Sequence, residues 1–241
     1  MPVTLCLDFG NTRLKAAVFS GKKFEKEILL EDDSEKTAQA LFDEYHPGKV
    51  ILSSVIDHNP ALETFFAGKT KFHRLGHLSK LPLSIAVGKP ETIGADRLAL
   101  SVAAISLYPG KNNLVIGLGS AVTYNFINKN GEFLGGGISP GMEMRFKALH
   151  SFTAKLPLVK PDWNFPLVGY DTRTNILSGV IFGMAGEIDG TIDAYKEKYD
   201  NFNVALSGGD LDFFAGRLKN KTFADPHLIY KGLYAISEYN Q

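Results

Sequence analysis

The sequence is poor in cysteine, in net charge and in long apolar runs. Of its 241 residues only Cys6 is a cysteine, which excludes a disulfide framework. The 26 basic and 26 acidic residues cancel, so a general attraction to nucleic-acid phosphates is not expected. No stretch approaches about 18 consecutive apolar residues, so no membrane partner is expected. The first residues lack the basic and apolar regions of a secretory signal, and we therefore predict a cytoplasmic protein.

What is present is ordinary for a globular protein. Apolar residues make up 44% of the chain and charged residues 22%, which argues against intrinsic disorder. A chain of this length buries a substantial core without disulfides or metals. It is long enough for one large domain or two half-sized ones.

Strand-like and helix-like patterns alternate along the chain. Short apolar runs flank a turn at residues 8–11, and a similar pair flanks a turn at 119–120, as expected for two β-hairpins. Setting residues 7–11 over 116–120 gives a weak internal repeat. We therefore predict an α/β fold with two duplicated halves, residues 1–112 and 113–241, and a site in the cleft between them. Further helices are predicted over 34–46, 60–66, 94–107, 172–198 and 228–239, and further strands over 49–55, 132–138 and 202–206.

The turn of the first hairpin carries polar groups suited to a phosphate. Gly10 lets the backbone approach a ligand, Asn11 and Thr12 add side-chain donors, and Lys15 is near. Asp8, at a strand end, could hold Mg²⁺, usually through water. The alternative is an ordinary hairpin turn, in which glycine and asparagine are common.

A second candidate begins the helix predicted over 94–107. Asp96 and Arg97 follow Gly94 there, and a carboxylate beside a guanidinium could serve as base and anion clamp. The alternative is structural, because an aspartate in a first helical turn also offsets the helix dipole.

Two glycine-dense segments complete the candidates. Residues 135–141 hold four glycines at a strand end, and Ser207-Gly208-Gly209 follows another predicted strand. Such density favours close backbone packing or approach to a ligand such as a nucleotide, with a plain strand–helix corner as the alternative.

Short motifs along nearly the whole chain occur together in one order. They are Asp8-Phe9-Gly10-Asn11-Thr12 with Lys15, Pro90 with Gly94-Ala95-Asp96-Arg97, Gly119-Ser120-Ala121-Val122-Thr123, Gly135-Gly136-Gly137-Ile138-Ser139-Pro140-Gly141-Met142, Ala148-Leu149 with Thr153-Ala154-Lys155-Leu156-Pro157, Thr172 ahead of Ile176 and Gly179, Ser207-Gly208-Gly209, and Asp225-Pro226-His227-Leu228 with Gly232-Leu233. In this order the set resembles the type III pantothenate kinases of the actin/hexokinase/Hsp70-like superfamily.

The resemblance implies ribonuclease H-like (actin-like ATPase) halves, with mixed sheets flanked by helices. It also implies a homodimeric cytosolic enzyme that transfers the γ-phosphate of ATP to pantothenate, the first step of coenzyme A synthesis. Asp8 would organise Mg²⁺, and Asp96 would be the general base on the substrate hydroxyl. The residues implied to surround the phosphates and the nucleotide are Gly10, Asn11, Thr12, Lys15, Gly119, Ser120, Ala121, Ser207, Gly208 and Gly209. Those implied to hold pantothenate are Gly94, Ala95, Arg97 and Thr172.

Two positions depart from the family pattern. Gly117 stands where the family usually has an aspartate that binds an activating monovalent cation, K⁺ or NH₄⁺, and Ser120 replaces a threonine nearby. Because glycine has no side-chain oxygen, we predict weak or absent K⁺ dependence. Val87 stands where the family often has a tyrosine near pantothenate, so substrate contacts are expected to differ.

Two other functions remain open from sequence. One is a non-catalytic or regulatory accessory factor with the same fold. The other is a kinase of the same superfamily with another small hydroxyl substrate, such as a sugar. Retention of Asp8, Asp96 and Arg97 favours activity, and the residue pattern around Gly94 favours pantothenate over a sugar.

Overall fold

The structure, a computed structural model, describes residues 2–240. Strands and helices alternate along the chain, as the sequence patterns predict. The strands are β1 Val3–Phe9, β2 Leu14–Ser20, β3 Lys23–Leu30, β4 Lys49–Ser54, β5 Lys71–Arg74, β6 Ser84–Ile85, β7 Asn112–Leu118, β8 Ala121–Ile127, β9 Glu132–Pro140, β10 Phe202–Ser207 and β11 Phe223–Ala224. The α-helices are α1 Glu35–Tyr45, α2 Pro60–Lys69, α3 Ala95–Leu107, α4 Met142–Ser151, α5 Thr172–Leu177, α6 Gly183–Lys198, α7 Leu211–Phe214 and α8 Leu228–Tyr239.

The chain divides into two compact units. The first comprises residues 1–110, 127–135 and 227–241, and the second comprises 111–126 and 136–226. The carboxyl-terminal helix α8 therefore belongs with the amino-terminal residues. The division into duplicated halves at residue 112 stays a prediction.

The first unit is built on a five-stranded mixed sheet with the order β3-β2-β1-β4-β5. Strands β1, β2 and β3 are antiparallel neighbours, whereas β4 runs parallel to both β1 and β5. Because side chains alternate along a strand, Leu5 and Leu7 pack with α1 and α2, while Cys6 packs with α3 and α8 on the other face. Cys6 is fully buried, as expected of a small apolar side chain in a strand.

The second sheet has six strands in the order β11-β10-β7-β8-β9-β6. Strand β10 runs parallel to β7 and β11, and β6 runs parallel to the start of β9. The core of the second unit lies between β7, β8 and β10 of this sheet and the helices of the unit, with Leu118, Ile181 and Ile188 fully buried. Two mixed sheets flanked by helices agree with the fold class predicted from sequence.

Local signals explain where the helices begin. The Ser34 side chain accepts a hydrogen bond from the backbone N–H of Thr37, which makes it the N-cap of α1. Asn59 and Asp171 cap α2 and α5 in the same way. The helical stretch predicted over 172–198 is present, but residues 178–182 wind as a π-helix between α5 and α6.

Candidate active site

Asp8 lies at the carboxyl end of β1, between two polar residues on neighbouring strands. In register it stands opposite Lys15 of β2 and Ser53 of β4. The carboxyl group is surrounded by protein, and this burial, followed by the nearby charge of Asp96, raises the pKa of Asp8 to about 7. The positive charge of Lys15 acts to lower the pKa of Asp8. The Ser53 hydroxyl also favours the ionised form of Asp8, although its geometry falls short of a hydrogen bond.

The glycine turn after Asp8 is short and lies at the surface. Gly10 donates its backbone N–H to the carbonyl of Arg13 at 3.1 Å, which closes the turn between β1 and β2. The side chains of Asn11 and Thr12 are exposed at its tip. The predicted phosphate-binding residues of this turn therefore lie together beside Asp8.

Asp96 and Arg97 occupy the first turn of α3, where the sequence predicted them. Gly94 is the N-cap residue, Ala95 is buried, and a Cβ placed on Gly94 would come within 2.5 Å of Asp96 Oδ1. The carboxylate thus folds back over the glycine. The Arg97 guanidinium lies 5.7 Å from the centre of the Phe133 ring.

Asp96, like Asp8, has a carboxyl group with a raised pKa. Burial raises the pKa of Asp96, although the backbone N–H of Arg97 and its positive charge act to lower it. Asp8 and Asp96 lie in the same unit, and the charge of Asp96 raises the pKa of Asp8. A bound cation would favour the ionised form of both carboxyl groups.

Two residues that sequence reasoning missed lie behind Lys15. Lys15 Nζ donates to Glu27 Oε1 at 3.0 Å, and the Tyr230 hydroxyl donates to Glu27 Oε2 at 2.9 Å. No local pattern points to them, because Glu27 is on an exposed strand and Tyr230 follows it by 203 residues.

In the second unit, three predicted segments pack on one another. The backbone N–H of Gly119 donates to the Ala121 carbonyl at 3.1 Å, and that of Gly141 donates to the Ser120 carbonyl at 3.0 Å. A Cβ on Gly141 would lie 2.1 Å from the Gly119 carbonyl oxygen, so only glycine fits at position 141.

The Ser207-Gly208-Gly209 turn approaches the same region from β10. Gly208 has φ of +113°, and a Cβ there would lie 2.3 Å from the Leu118 carbonyl oxygen. The following Asp210 donates its backbone N–H to that carbonyl at 3.0 Å. The structure therefore brings the 119–121 and 207–209 turns together, at the ends of the neighbouring parallel strands β7 and β10.

A carboxylate network holds the glycine-rich end of β9. Glu187 of α6 accepts hydrogen bonds from Tyr124 at 3.0 Å and Ser139 at 2.5 Å, and it pairs with Arg145. These contacts tie β8, β9 and the start of α4 to one helix.

A cavity of about 330 Å³ lies beside the 207–209 turn in the second unit. Its lining is mainly apolar and includes two lysines and two carboxylates. Sequence reasoning did not find this cavity. The lining residues are Met142, Glu143, Phe146, Lys147, Leu158, Val159, Lys160, Pro161 and Asp210. Thr172, predicted to hold substrate, is the exposed first residue of α5 in this unit.

The residues present fit a Mg²⁺ ion held mainly by a nucleotide. Among residues 2–240, no group of three or more His, Cys, Asp or Glu side chains is arranged as a complete metal site. Mg²⁺ needs only one or two carboxylates when phosphates and waters supply its other ligands, and the hindered Asp8 carboxyl offers one. By contrast, Gly117 is buried and has no side-chain oxygen to offer a monovalent cation.

Comparisons with known proteins identify relatives along the whole chain. The profile of the Type III pantothenate kinase family matches residues 4–194. A Type III pantothenate kinase of Cytophaga hutchinsonii is 42% identical over 99% of this chain and 100% of its own length. One of Christiangramia forsetii is 39% identical over 99% of both chains.

Solved structures with similar folds include proteins of different activity. A Campylobacter jejuni protein described as a Baf family transcriptional activator has a TM-score of 0.61 at 23% identity, covering 98% of each chain. A glucokinase from an Antarctic psychrotroph has a TM-score of 0.54 at 11% identity, covering 99% of each chain. At these identities the structures support only the fold, which is that of the actin-like kinases. The family match and the full-length identities go further, and the chain belongs to the type III pantothenate kinase family.

Proposed function

We propose that the protein transfers the γ-phosphate of ATP to the hydroxyl of pantothenate, giving 4′-phosphopantothenate for coenzyme A synthesis. The observation that carries this proposal is a pair of carboxyl groups whose pKa values are raised by burial, Asp8 and Asp96. They lie in one unit, beside Lys15 and Arg97. Phosphoryl transfer needs little covalent help from the protein, because positioning and charge neutralisation supply most of the catalysis. A pair of carboxylates with nearby cations suits that requirement.

Asp96 is assigned to the acceptor hydroxyl. Its raised pKa makes it a better proton acceptor than an ordinary aspartate, and Gly94 leaves room for its carboxylate. In a loose transition state the hydroxyl proton leaves late, so Asp96 chiefly orients the attacking oxygen.

Asp8 is assigned to Mg²⁺, through a bound water or directly. When bound, the ion would neutralise the phosphate oxygens and orient the γ-phosphate. Gly10, Asn11, Thr12 and Lys15 lie in the same turn and strand, where backbone and side-chain donors meet phosphate oxygens.

The nucleotide is assigned to the glycine turns of the second unit. Gly119, Ser120 and Ala121 form one turn, and Ser207, Gly208 and Gly209 form the other beside it. Their close packing brings the backbone of both turns together at the ends of β7 and β10, where it can approach a nucleotide. The adjacent cavity of about 330 Å³ is mainly apolar and suits the base of ATP.

Pantothenate carries a carboxylate, which calls for a cationic partner. Arg97 is assigned to this group, because a guanidinium binds a carboxylate through two parallel hydrogen bonds. Gly94 and Ala95 at the same helix start, and Thr172 in the second unit, complete the residues assigned to pantothenate.

The monovalent cation has no carboxylate at position 117 in this chain. We therefore propose that K⁺ or NH₄⁺ activates the enzyme weakly or not at all.

A homodimer and a cytoplasmic location are proposed with the activity, and nucleic acid is not a proposed partner. Eight of the fifteen exposed large apolar side chains of the described residues lie within residues 138–182, which supports a subunit interface there. No helix among residues 2–240 is both long enough and apolar enough to span a bilayer.

A coupled ADP-release assay tests the activity. The purified protein is given Mg²⁺-ATP with pantothenate, with a panel of sugars, and with no acceptor. ADP release that depends on pantothenate supports the proposal. Sugar-dependent release would make the protein a kinase of another substrate, and silence in every arm would favour a non-catalytic or regulatory role.

A further inference from the structure

We propose that Glu27 is a positioning residue for phosphoryl transfer, holding the Lys15 ammonium in place while Tyr230 fixes the Glu27 carboxylate. The inference rests on the proposed function, in which Lys15 contacts the nucleotide phosphates. Neither Glu27 nor Tyr230 belongs to the motifs that carry the family resemblance.

The sheet places these groups on one face. Asp8 and Lys15 face each other in the β1/β2 register, and Glu27 faces Ala17 in the β2/β3 register. Ala17 packs in the cluster that contains residues of α3 and α8. Because side chains alternate along strands, Lys15 shares the face of Ala17, and Tyr230 of α8 packs against that face.

Both oxygens of Glu27 are engaged. Lys15 Nζ donates to Oε1 at 3.0 Å, and the Tyr230 hydroxyl donates to Oε2 at 2.9 Å. Tyr230 is buried, and its side chain is anchored in the helix packing, so the carboxylate cannot rotate without losing a contact. The side chains of Lys15 and Glu27 are only 23% and 30% exposed, which limits competition from water.

Glu27 is charged in this setting. Burial alone would raise its pKa, but hydrogen bonds from Lys15 and Tyr230, together with the charges of Lys15 and His227, lower the pKa of Glu27. The contact with Lys15 is therefore a hydrogen bond between two ionised groups, which is stronger than a neutral one.

An ammonium has three donors, and Glu27 occupies one of them. In the proposed function, the other two donors of Lys15 meet phosphate oxygens beside Asp8. A lysine already held in place loses less side-chain freedom when the phosphate binds, so the contact favours nucleotide binding without touching the nucleotide itself.

A double-mutant cycle tests this role. Glu27→Gln keeps the size of the side chain and removes its charge, and Lys15→Met removes the ammonium. With Lys15 present, Glu27→Gln is expected to lower kcat/KM for ATP about tenfold, mainly through KM, with KM for pantothenate unchanged. With methionine at position 15, the same change is expected to have an effect below about twofold, because Glu27 then has no ammonium to hold.

Two further variants complete the design. Tyr230→Phe retains the ring and removes the hydroxyl. It is expected to raise KM for ATP about threefold when Glu27 is present, and to have no such effect in the Glu27→Gln background, where the carboxylate that it fixes is absent. Glu25→Gln is the matched control, because Glu25 pairs with Lys23 on the same strand at 3.1 Å with a more exposed lysine, and no change is expected.

The outcomes separate this inference from the proposed activity. An equal effect of Glu27→Gln in both backgrounds, or no effect with Lys15 present, overturns the positioning role even if the wild-type enzyme phosphorylates pantothenate. If pantothenate is not phosphorylated, calorimetry measures the Mg²⁺-ADP affinity of the wild type, the two single variants and the double variant, and this cycle decides. If the effects of Glu27→Gln and Lys15→Met on Mg²⁺-ADP affinity are coupled, the positioning role is supported even though pantothenate is not the acceptor. Loss of coupling or of nucleotide binding overturns it. If Glu27→Gln does not fold, Tyr230→Phe is compared in the wild-type and Lys15→Met backgrounds, and an equal effect in both overturns the positioning role.

Discussion

The Asp96 carboxylate occupies the space that a side chain at Gly94 would take. A Cβ on Gly94 would lie 2.5 Å from Asp96 Oδ1 and 3.8 Å from Val55 Cγ1. The absence of a side chain at Gly94 thus leaves room for the Asp96 carboxylate, and the position of this proposed acceptor-orienting group depends on a glycine two residues earlier.

Replacing that glycine is expected to damage catalysis more than folding. In Gly94→Ala the new methyl group would push the Asp96 carboxylate aside, and we expect kcat to fall at least about tenfold, since misplacing a reacting group by about 1 Å costs up to about 100-fold. Steady-state kinetics and a melting curve measure the two effects. Gly88→Ala is the control, because nothing lies within 4 Å of its Cβ position. A normal kcat in Gly94→Ala would show that a methyl group at position 94 does not displace the Asp96 carboxylate from its working position.

Removing the carboxylate itself is expected to have a larger effect. Asp96→Asn keeps the shape of the side chain, and loss of a group acting on the reacting hydroxyl typically costs about 10²–10⁴ in rate. Circular dichroism should show an intact fold, and ADP release should fall accordingly. An Asp96→Asn enzyme with near-normal turnover would have to use another group for the acceptor.

The raised pKa of Asp8 predicts a pH dependence of folding stability in the absence of metal and nucleotide. The folded protein retains a proton on Asp8 that the unfolded chain gives up, so the free energy of unfolding decreases as pH rises from about 4 to about 7. A carboxyl pKa raised to about 7 costs the folded state up to about 4 kcal/mol above that pH.

Asp8→Asn should remove this cost. We expect a higher Tm than wild type at pH 8, by several degrees, and little difference near pH 4. Thermal melts in a chelating buffer at the two pH values make the comparison. A Tm difference that is the same at both pH values would contradict the assignment of a hindered carboxyl to Asp8.

Gly117 predicts an enzyme that does not need K⁺. Turnover is expected to change less than about twofold when K⁺ is replaced by a bulky organic cation at constant ionic strength, because position 117 supplies no charge to hold a small cation. NH₄⁺ should behave as K⁺ does. Strong activation by either ion would falsify this prediction and place the cation on other oxygens.

Much of the fold follows from local pattern. The first hairpin, the Ser34-capped helix and the helix that begins after Gly94 each show an apolar period or a capping residue, and each is present in the structure. The edge strand β3 was not predicted, because Lys23, Glu25 and Glu27 give it the composition of a solvated loop. Such charges are common on edge strands, where they discourage pairing with other chains.

The site residues also fall into two groups, those that a local sequence pattern indicates and those that only tertiary packing brings together. Asp8, Asp96 and the glycine turns stand out because they lie where regular elements begin or end, and because they occur together in one order along the chain. The contacts of Glu27 with Tyr230 depend on tertiary packing across 203 residues, for which the sequence has no periodic signal. The assignment of the segment 227–241 to the first unit likewise depends on tertiary packing, for which the sequence has no local signal.

The position of α8 has a consequence for how the protein is made. Gly232 of α8 approaches so closely that a Cβ there would lie 1.9 Å from the Ala99 carbonyl oxygen, and Tyr230 on the same helix completes the Glu27 contacts. A growing chain emerges amino terminus first, so the apolar face of the first sheet that packs against α3 and α8 stays partly uncovered until α8 has been synthesised. A message truncated before the α8 codons would therefore leave part of this face exposed to solvent, and it should yield insoluble protein rather than a slightly weaker enzyme.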